Sequence, residues 1–308
     1  MRPQKLKPGD RIRFVSPAST PTRAHVDECR RLLESWGLIV EIAPHAFDEF
    51  GYLAGDDAVR LADFNDALRD PDVRAIMATT GGKGAYRIAD RLDFDAARAD
   101  PKLLIGFSEI TVLHLALYRH CQIAGLHGAS WTEQFSRTST ASLHAAMFSI
   151  DKIVVLSDPS ESTHALTTAG TARGILLGGN QDMIAAAAGW GLPSFDGAIL
   201  LLEAAGHGLG TLDRQLTMLR RGGHLSGLAG VAVGQYTNCG PDPHGTNSSI
   251  PGMHTHLDVL RDHFDVLGVP VLGGLPIGHG SDPVAVPLGT ACVLDADAGT
   301  LTVDSAVI

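Results

Sequence analysis

The sequence predicts an α/β protein: a parallel sheet covered by helices, followed by a second, separate domain. Three observations carry that expectation. Short apolar runs alternate with helical stretches through the first half, the pattern of a parallel sheet with helices on both faces. A polar, turn-forming stretch, Ser157-Asp158-Pro159-Ser160-Glu161-Ser162-Thr163, and a small-residue run from Thr167 to Thr171 then break the pattern, so domains are expected at residues 1–155 and 172–308. Two strand ends in the first domain are unusual, Thr79 to Tyr86 and Gly106-Phe107-Ser108, and ligands of open parallel sheets gather at the carboxyl ends of strands.

The elements follow in order. Arg11 to Val15 reads as a first strand, closed by the Ser16-Pro17-Ala18-Ser19 turn, and Val26 to Trp36 as a helix stopped by Gly37. Leu38 to Ile42 is the next strand, Leu61 to Leu68 a helix ended by Asp70-Pro71-Asp72, and Val73 to Ala78 a third strand. A helix is predicted over Gly84 to Leu92, a fourth strand over Leu103 to Ile105, and a helix running on through Tyr118 with Val112, Leu113, Ala116 and Leu117 on one buried face. In the second half, Ala198 to Leu202 is a strand that delivers Glu203 at its end, and Val231 to Tyr236 is another. Helices are predicted over Leu212 to Leu219 and Leu257 to Leu267, an extended Val269 to Leu272, and a hairpin from Ala291 to Val303.

Composition narrows the function. A chain of 308 residues with 44% hydrophobic and 19% charged residues can bury a large core, as a compact enzyme does. Its net charge of −10 argues against a nucleic-acid surface or an anionic membrane partner. Four cysteines, Cys29, Cys121, Cys239 and Cys292, stand far apart with no CxxC pair, which excludes a disulfide framework or zinc knuckle and points to a reducing compartment. The first ten residues hold no apolar signal region, and no segment has the length of a membrane span, so a soluble cytoplasmic protein is expected.

Five features offer chemistry, each with an alternative reading. Leu103 to Leu113 has the form of a strand, a sharp turn at Gly106 and a helix, which lifts the Ser108 hydroxyl above the sheet edge as a nucleophile elbow does. Serine is also a preferred helix cap, and the second glycine of the usual elbow is here Ile110. The Thr80-Gly81-Gly82-Lys83-Gly84 loop can aim backbone N–H groups at an anion, either a phosphate or the oxyanion of a tetrahedral intermediate. Glu203 is either a solvated strand end or a carboxylate held beside a histidine. His279, between glycines, is either a general base or one surface histidine among 14. His254-Thr255-His256-Leu257-Asp258 looks like the start of an HxHxDH metal motif but lacks the closing histidine, with Val259 in its place.

Taken together, these residues resemble the LD-carboxypeptidases, a serine peptidase family that also contains microcin C self-immunity hydrolases. The resemblance covers nearly the whole chain. It runs through Leu53-Ala54-Gly55-Asp56-Asp57 with Arg60, Gly81-Gly82, Pro101-Lys102 to Thr111, His127-Gly128 and Gly178-Gly179-Asn180. It continues through Glu203, Asp213-Arg214-Gln215-Leu216, Gly278-His279 and Pro287-Leu288-Gly289. It implies a flavodoxin-like N-terminal domain, a smaller β-rich swivelling C-terminal domain, and a homodimer. It also implies a Ser108–His279–Glu203 triad with no metal or cofactor, and an oxyanion hole from the Gly82 and Glu109 amides. Gly81, Thr80, Lys83 and Asn180 would contact substrate. The implied reaction is release of terminal D-alanine from a murein tetrapeptide; the alternative within the family is cleavage of a peptidyl- or aminoacyl-nucleotide. Departures fall near the substrate. The usual Arg-Gly-Gly-Tyr-Gly loop is Thr80-Gly81-Gly82-Lys83-Gly84, Glu109 stands for an aspartate, Gln181 for a leucine, and Ala204 for an acid.

Overall fold

The structure is a computed structural model that describes residues 1–128, 137–240 and 255–308. The first sheet is built from β1 (Arg11–Val15), β2 (Ile39–Ile42), β3 (Val73–Ala78), β4 (Leu103–Ile105) and β5 (Gly125–His127). These lie parallel in the order β2-β1-β3-β4-β5, the flavodoxin-like arrangement. Helices α1 (Arg23–Ser35), α2 (Asp57–Arg69), α3 (Phe94–Ala99), α4 (Thr111–Cys121) and α5 (Arg137–Phe148) accompany it. The strands read as unbroken apolar runs because both faces are covered: β4 is buried at all three residues. Side-chain caps set the helix starts. Thr22 accepts from His25 N at the head of α1, and Asp56 accepts from Ala58 N and Val59 N at the head of α2.

The second sheet contains β6 (Ile153–Leu156), β7 (Thr171–Asn180), β8 (Ile199–Ala205), β9 (Gly230–Thr237), β10 (Val271–Leu272), β12 (Ala291–Asp295) and β13 (Thr300–Val303), after a short β11 (Val286–Leu288) that does not belong to it. Its order is β10-β9-β8-β7-β12-β13-β6. The β7 to β10 half is parallel, and α6 (Gln181–Ala186), α7 (Leu209–Arg221) and α8 (His256–Phe264) pack with it, while β12, β13 and β6 are antiparallel. The tail hairpin forms as expected.

Sheet membership does not follow chain order. Strand β6, which straddles residue 155, pairs with β13 of the second sheet, and β11 crosses back to pair antiparallel with β5, setting Val286 opposite His127. The helix expected over Gly84 to Leu92 is instead two 3₁₀ turns, Ala85–Arg87 and Ala89–Arg91, because Ile88 at φ −121°, ψ −7° leaves the helical path. Glu203 also sits inside its strand rather than at its end, since β8 continues through Ala205.

Candidate active site

The elbow is formed as the sequence suggests, for reasons of close packing. Phe107 is extended and Ser108 turns to φ +59°, opening a 3₁₀ turn over Ser108–Ile110 that runs into α4. A side chain in that left-handed region costs about 1–2 kcal/mol, so the surroundings must hold it there. Two contacts do. A Cβ on Gly106 would fall 2.9 Å from Ile110, so glycine at 106 lets Ile110 fold over the turn. From one turn into α4, His114 Nε2 donates to the Gly106 carbonyl at 2.9 Å, and burial pushes this imidazole down to about 4, which keeps it a neutral donor. Capping is not what Ser108 does. Its hydroxyl caps no helix N–H, and it makes no hydrogen bond among the described residues.

Glu203 and His279, 76 residues apart, meet directly. His279 Nδ1 lies 2.7 Å from Glu203 Oε2, with the carboxylate fully buried and the imidazole 24% exposed. Glu203 Oε1 accepts from Asn180 Nδ2 at 3.1 Å, so both carboxylate oxygens are used. Burial acts to lower the His279 pKa, but the hydrogen bond and charge of Glu203 outweigh it and the pKa is raised from its ordinary 6.5. The loop carrying His279 rests on β9. Gly280 N donates to Gln235 Oε1 at 2.7 Å, and a Cβ on Gly278 would meet Glu203 at 3.1 Å. The elbow approaches this pair through the neighbouring aromatic ring: Phe107 and His279 ring centres are 4.7 Å apart. A Ser108–His279 hydrogen bond is not among those the described residues form.

The profile of the LD-carboxypeptidase N-terminal domain matches residues 12–128, and that of its C-terminal domain matches residues 173–294. The chain belongs to the LD-carboxypeptidase family. A Streptomyces coelicolor relative that carries a carboxypeptidase name is 36% identical over 99% of this chain and 96% of its own length. The murein tetrapeptide carboxypeptidase of Pseudomonas aeruginosa is 29% identical over 92% of this chain and 93% of its own. A solved structure of MccF with glutamyl sulfamoyl guanosine superimposes with a TM-score of 0.81 at 21% identity, covering 98% of each chain. Members of the LD-carboxypeptidase family are serine peptidases, and this chain is an enzyme of that kind.

In this family member the glycine loop is bound tightly to the elbow. A Cβ on Gly81 would stand 3.3 Å from Ser108 Oγ, so the missing side chain leaves room above the hydroxyl. Gly82 turns to φ +97°, and its amide and that of Glu109 donate to no acceptor among the described residues. The Glu109 side chain, 2% exposed, accepts from Gly84 N at 2.6 Å and Ala85 N at 2.9 Å. Burial raises its pKa, and those N–H groups oppose the rise. From the far side, buried Arg60 donates to Gly84 O at 2.9 Å and to Pro17 O, and reaches Asp57. Glu109→Ala leaves two buried donors unpaired and is expected to cost on the order of 2 kcal/mol in urea unfolding, with Glu109→Gln costing less.

The expected contact residues differ in how free they are. Lys83 is exposed and makes no ion pair with a described residue, while its backbone N–H donates to Ser19 Oγ at 3.1 Å. Thr80 is half-buried at the mouth of the loop. Asn180 is 6% exposed with its amide fully engaged: besides Glu203, its Oδ1 accepts from Asp182 N and Met183 N, capping α6. It is held in place by Thr111, whose Oγ1 accepts from Asn180 N at 3.0 Å. That approach requires Gly179 at φ +128°, where a Cβ would be 2.6 Å from Thr111 Oγ1. Gln181 turns inward, giving Nε2 to Gln215 at 2.9 Å and accepting from Tyr236 OH at 2.7 Å.

Sequence reasoning missed three supports. Ser19, treated as a turn residue, takes Gly81 O from its N–H at 3.2 Å and gives its hydroxyl to Tyr52 O at 2.9 Å. Phe107 contacts His279, and the buried His127 lies at 6.0 Å from the same ring, near perpendicular to it. Ser19 stood in a turn, and Phe107 and His127 within motifs, but no local pattern marks what each touches. Of the histidine pair weighed as a metal site, His254 lies outside the described residues. His256 is 3.2 Å from Ser162 Oγ and stacks on Tyr236 at 5.9 Å. Among the described residues one trio, Asp213, Asp262 and His263, brings ligand atoms within 4.8 Å of one another, and there His263 Nε2 already donates to Asp213 at 2.9 Å.

Proposed function

We propose that this enzyme is a cytoplasmic serine carboxypeptidase that releases terminal D-alanine from murein tetrapeptide by cleaving the L,D-amide bond. Ser108 Oγ attacks the carbonyl carbon, and His279 Nε2 takes its proton. Glu203 holds the Nδ1–H tautomer and stabilises the imidazolium. The Gly82 and Glu109 amides stabilise the oxyanion, and His279 then returns the proton to the leaving amine. Ser108 is acylated, and water releases the peptide. Asn180 is a positioning residue in this scheme, acting through Glu203. The observation that carries the reading is the 2.7 Å Glu203–His279 bond, formed across 76 residues against Phe107, which precedes a serine in a left-handed turn. Family membership and the murein tetrapeptide carboxypeptidase relative support the substrate class. Among the described residues no helix is long and apolar enough to cross a membrane.

One observation favours a second substrate class. Lys83 puts a cation that pairs with no described residue beside Gly82, where the resemblance leads to a tyrosine, and a cation there suits the phosphate of a peptidyl- or aminoacyl-nucleotide. Mass spectrometry of a tetrapeptide ending in D-alanine and of an aminoacyl sulfamoyl nucleoside, each with wild type and Ser108→Ala, separates the two. D-Alanine release by wild type alone is the expected result. Cleavage of the nucleoside conjugate alone selects the second class, and cleavage of neither removes the proposal. Activity is expected to survive a chelator; loss restored by zinc would overturn the serine mechanism.

The base sets the pH profile. His279 must be neutral to accept a proton, and its pKa is raised. Activity is therefore expected to rise with pH through a limb lying above 6.5 in kcat/KM, read from initial rates between pH 5 and 9.

A further inference from the structure

Phe107, the residue before the proposed nucleophile, has an aromatic contact with each of two histidines. Its ring centre lies 4.7 Å from that of His279 with the planes tilted by 42°, and 6.0 Å from that of His127 with the planes near perpendicular at 88°. His127 is 1% exposed, and neither ring nitrogen has a hydrogen-bond partner among the described residues. Burial pushes this imidazole down to about 4, so it stays uncharged at working pH. Backbone pairing also locks it in place, since His127 stands opposite Val286 where β11 closes the sheet edge. The half-buried Phe107 ring thus touches a neutral imidazole at His127 and the imidazole of His279.

We infer that Phe107 is a positioning residue for His279: its ring carries the imidazole held by Glu203 toward the elbow and favours the imidazolium that forms when Ser108 loses its proton. The inference rests on the reading of His279 as the base. Its physical content is twofold. An aromatic face attracts a cation through its quadrupole, more strongly where water is excluded. Phe107 and Ser108 are adjacent, so a ring contact that fixes the histidine also fixes its distance from the nucleophile, and small misplacements of a reacting pair are costly in rate. No proton passes through Phe107; the transfer remains from Ser108 Oγ to His279 Nε2. Other groups near the base are Glu203 on β8, neutral His127 on β5, Glu161 held by Gln235 of β9 at 2.7 Å, and Asp282 on the base's own loop. Of these Glu203 alone touches the ring through a hydrogen bond.

The test is Phe107→Leu, which keeps an apolar side chain of similar reach but removes the π face, with Phe107→Tyr as the conservative variant and Phe107→Met as a second apolar one. Two readouts are taken on the full chain: kcat and KM on the tetrapeptide, and an NMR titration of the His279 C–H signals, assigned with His279→Gln. The expected result is a fall of ~10-fold in kcat with KM little changed for the leucine and methionine variants. The His279 titration should move to lower pH, and Phe107→Tyr should restore both. Should the leucine variant fail to fold, the methionine variant carries the test. An unchanged titration overturns the inference, whether or not kcat falls, because Phe107 would then act on the elbow alone. The titration does not need turnover, so it stays readable if the tetrapeptide is not the substrate. Failure of the hydrolase reading itself shows instead as full activity in Ser108→Ala.

Discussion

Ser108→Ala is expected to lower kcat by ~10³-fold or more on whichever substrate the wild type cleaves, leaving only the contribution of binding and the oxyanion amides. At 1.36 kcal/mol per decade that is about 4 kcal/mol of transition-state stabilisation or more. The loss can be separated from folding. The Ser108 hydroxyl makes no hydrogen bond among the described residues, so alanine removes none, and stability should stay within about 0.5 kcal/mol of wild type. Ser108→Gly sharpens the contrast. Glycine relieves the φ +59° strain, so the variant should match or exceed wild-type stability by up to about 1 kcal/mol while being as inactive as alanine. Thermal melts beside single-turnover rates check both. A Ser108→Ala enzyme with ordinary kcat would remove the serine mechanism outright.

Glu203→Gln is expected to cost ~10³–10⁴ in kcat, because an amide cannot satisfy both partners of the carboxylate. In wild type, Oε1 accepts from Asn180 Nδ2 at 3.1 Å and Oε2 accepts from His279 Nδ1–H at 2.7 Å. A glutamine that keeps its oxygen toward Asn180 turns its NH₂ to His279 Nδ1. The imidazole proton then moves to Nε2, and the base has no lone pair for Ser108. A flipped glutamine sets one NH₂ against another. The flipped arrangement leaves a buried polar clash, so the first, with its wrong imidazole tautomer, is the one expected. The residual activity should also show its acidic limb at lower pH than wild type. Removing Glu203 removes what raised the His279 pKa, and the burial that lowers it remains. An acidic limb unchanged in Glu203→Gln would separate this carboxylate from the base.

Much of the fold was legible because periodicity is a local signal. Alternating apolar runs predicted β1 to β4 and the parallel sheet, and the β12–β13 hairpin was marked by its turn residues. The misses have local causes as well. β5 is three residues long, too short to show a period, and β11 contains Pro287, which argues against a strand until the pairing shows it at a sheet edge, where proline is tolerated. Gly84 to Leu92 has helical spacing, but its path is held by Glu109 and Arg60 from two other elements, which no local pattern records.

The sequence by itself determined that Ser108 stands where a strand turns into a helix, that a paired-glycine loop ends the neighbouring strand, and to which family the order of motifs points. The Ile110 that replaces the usual elbow glycine was visible too. Only the tertiary structure decided that Ile110 packs over Gly106, that Ser108 forgoes capping for a left-handed turn, and that Glu203 bonds His279 and Asn180 together. It also decided that Ser19, Arg60 and Glu109 hold the glycine loop and that Phe107 meets His279. The division follows from range. Backbone preference and apolar spacing act over a few residues and are written in the chain. A buried carboxylate takes as partners whatever donors the sheet register and the packing of the two halves bring within 3 Å or so, and only the folded chain sets that.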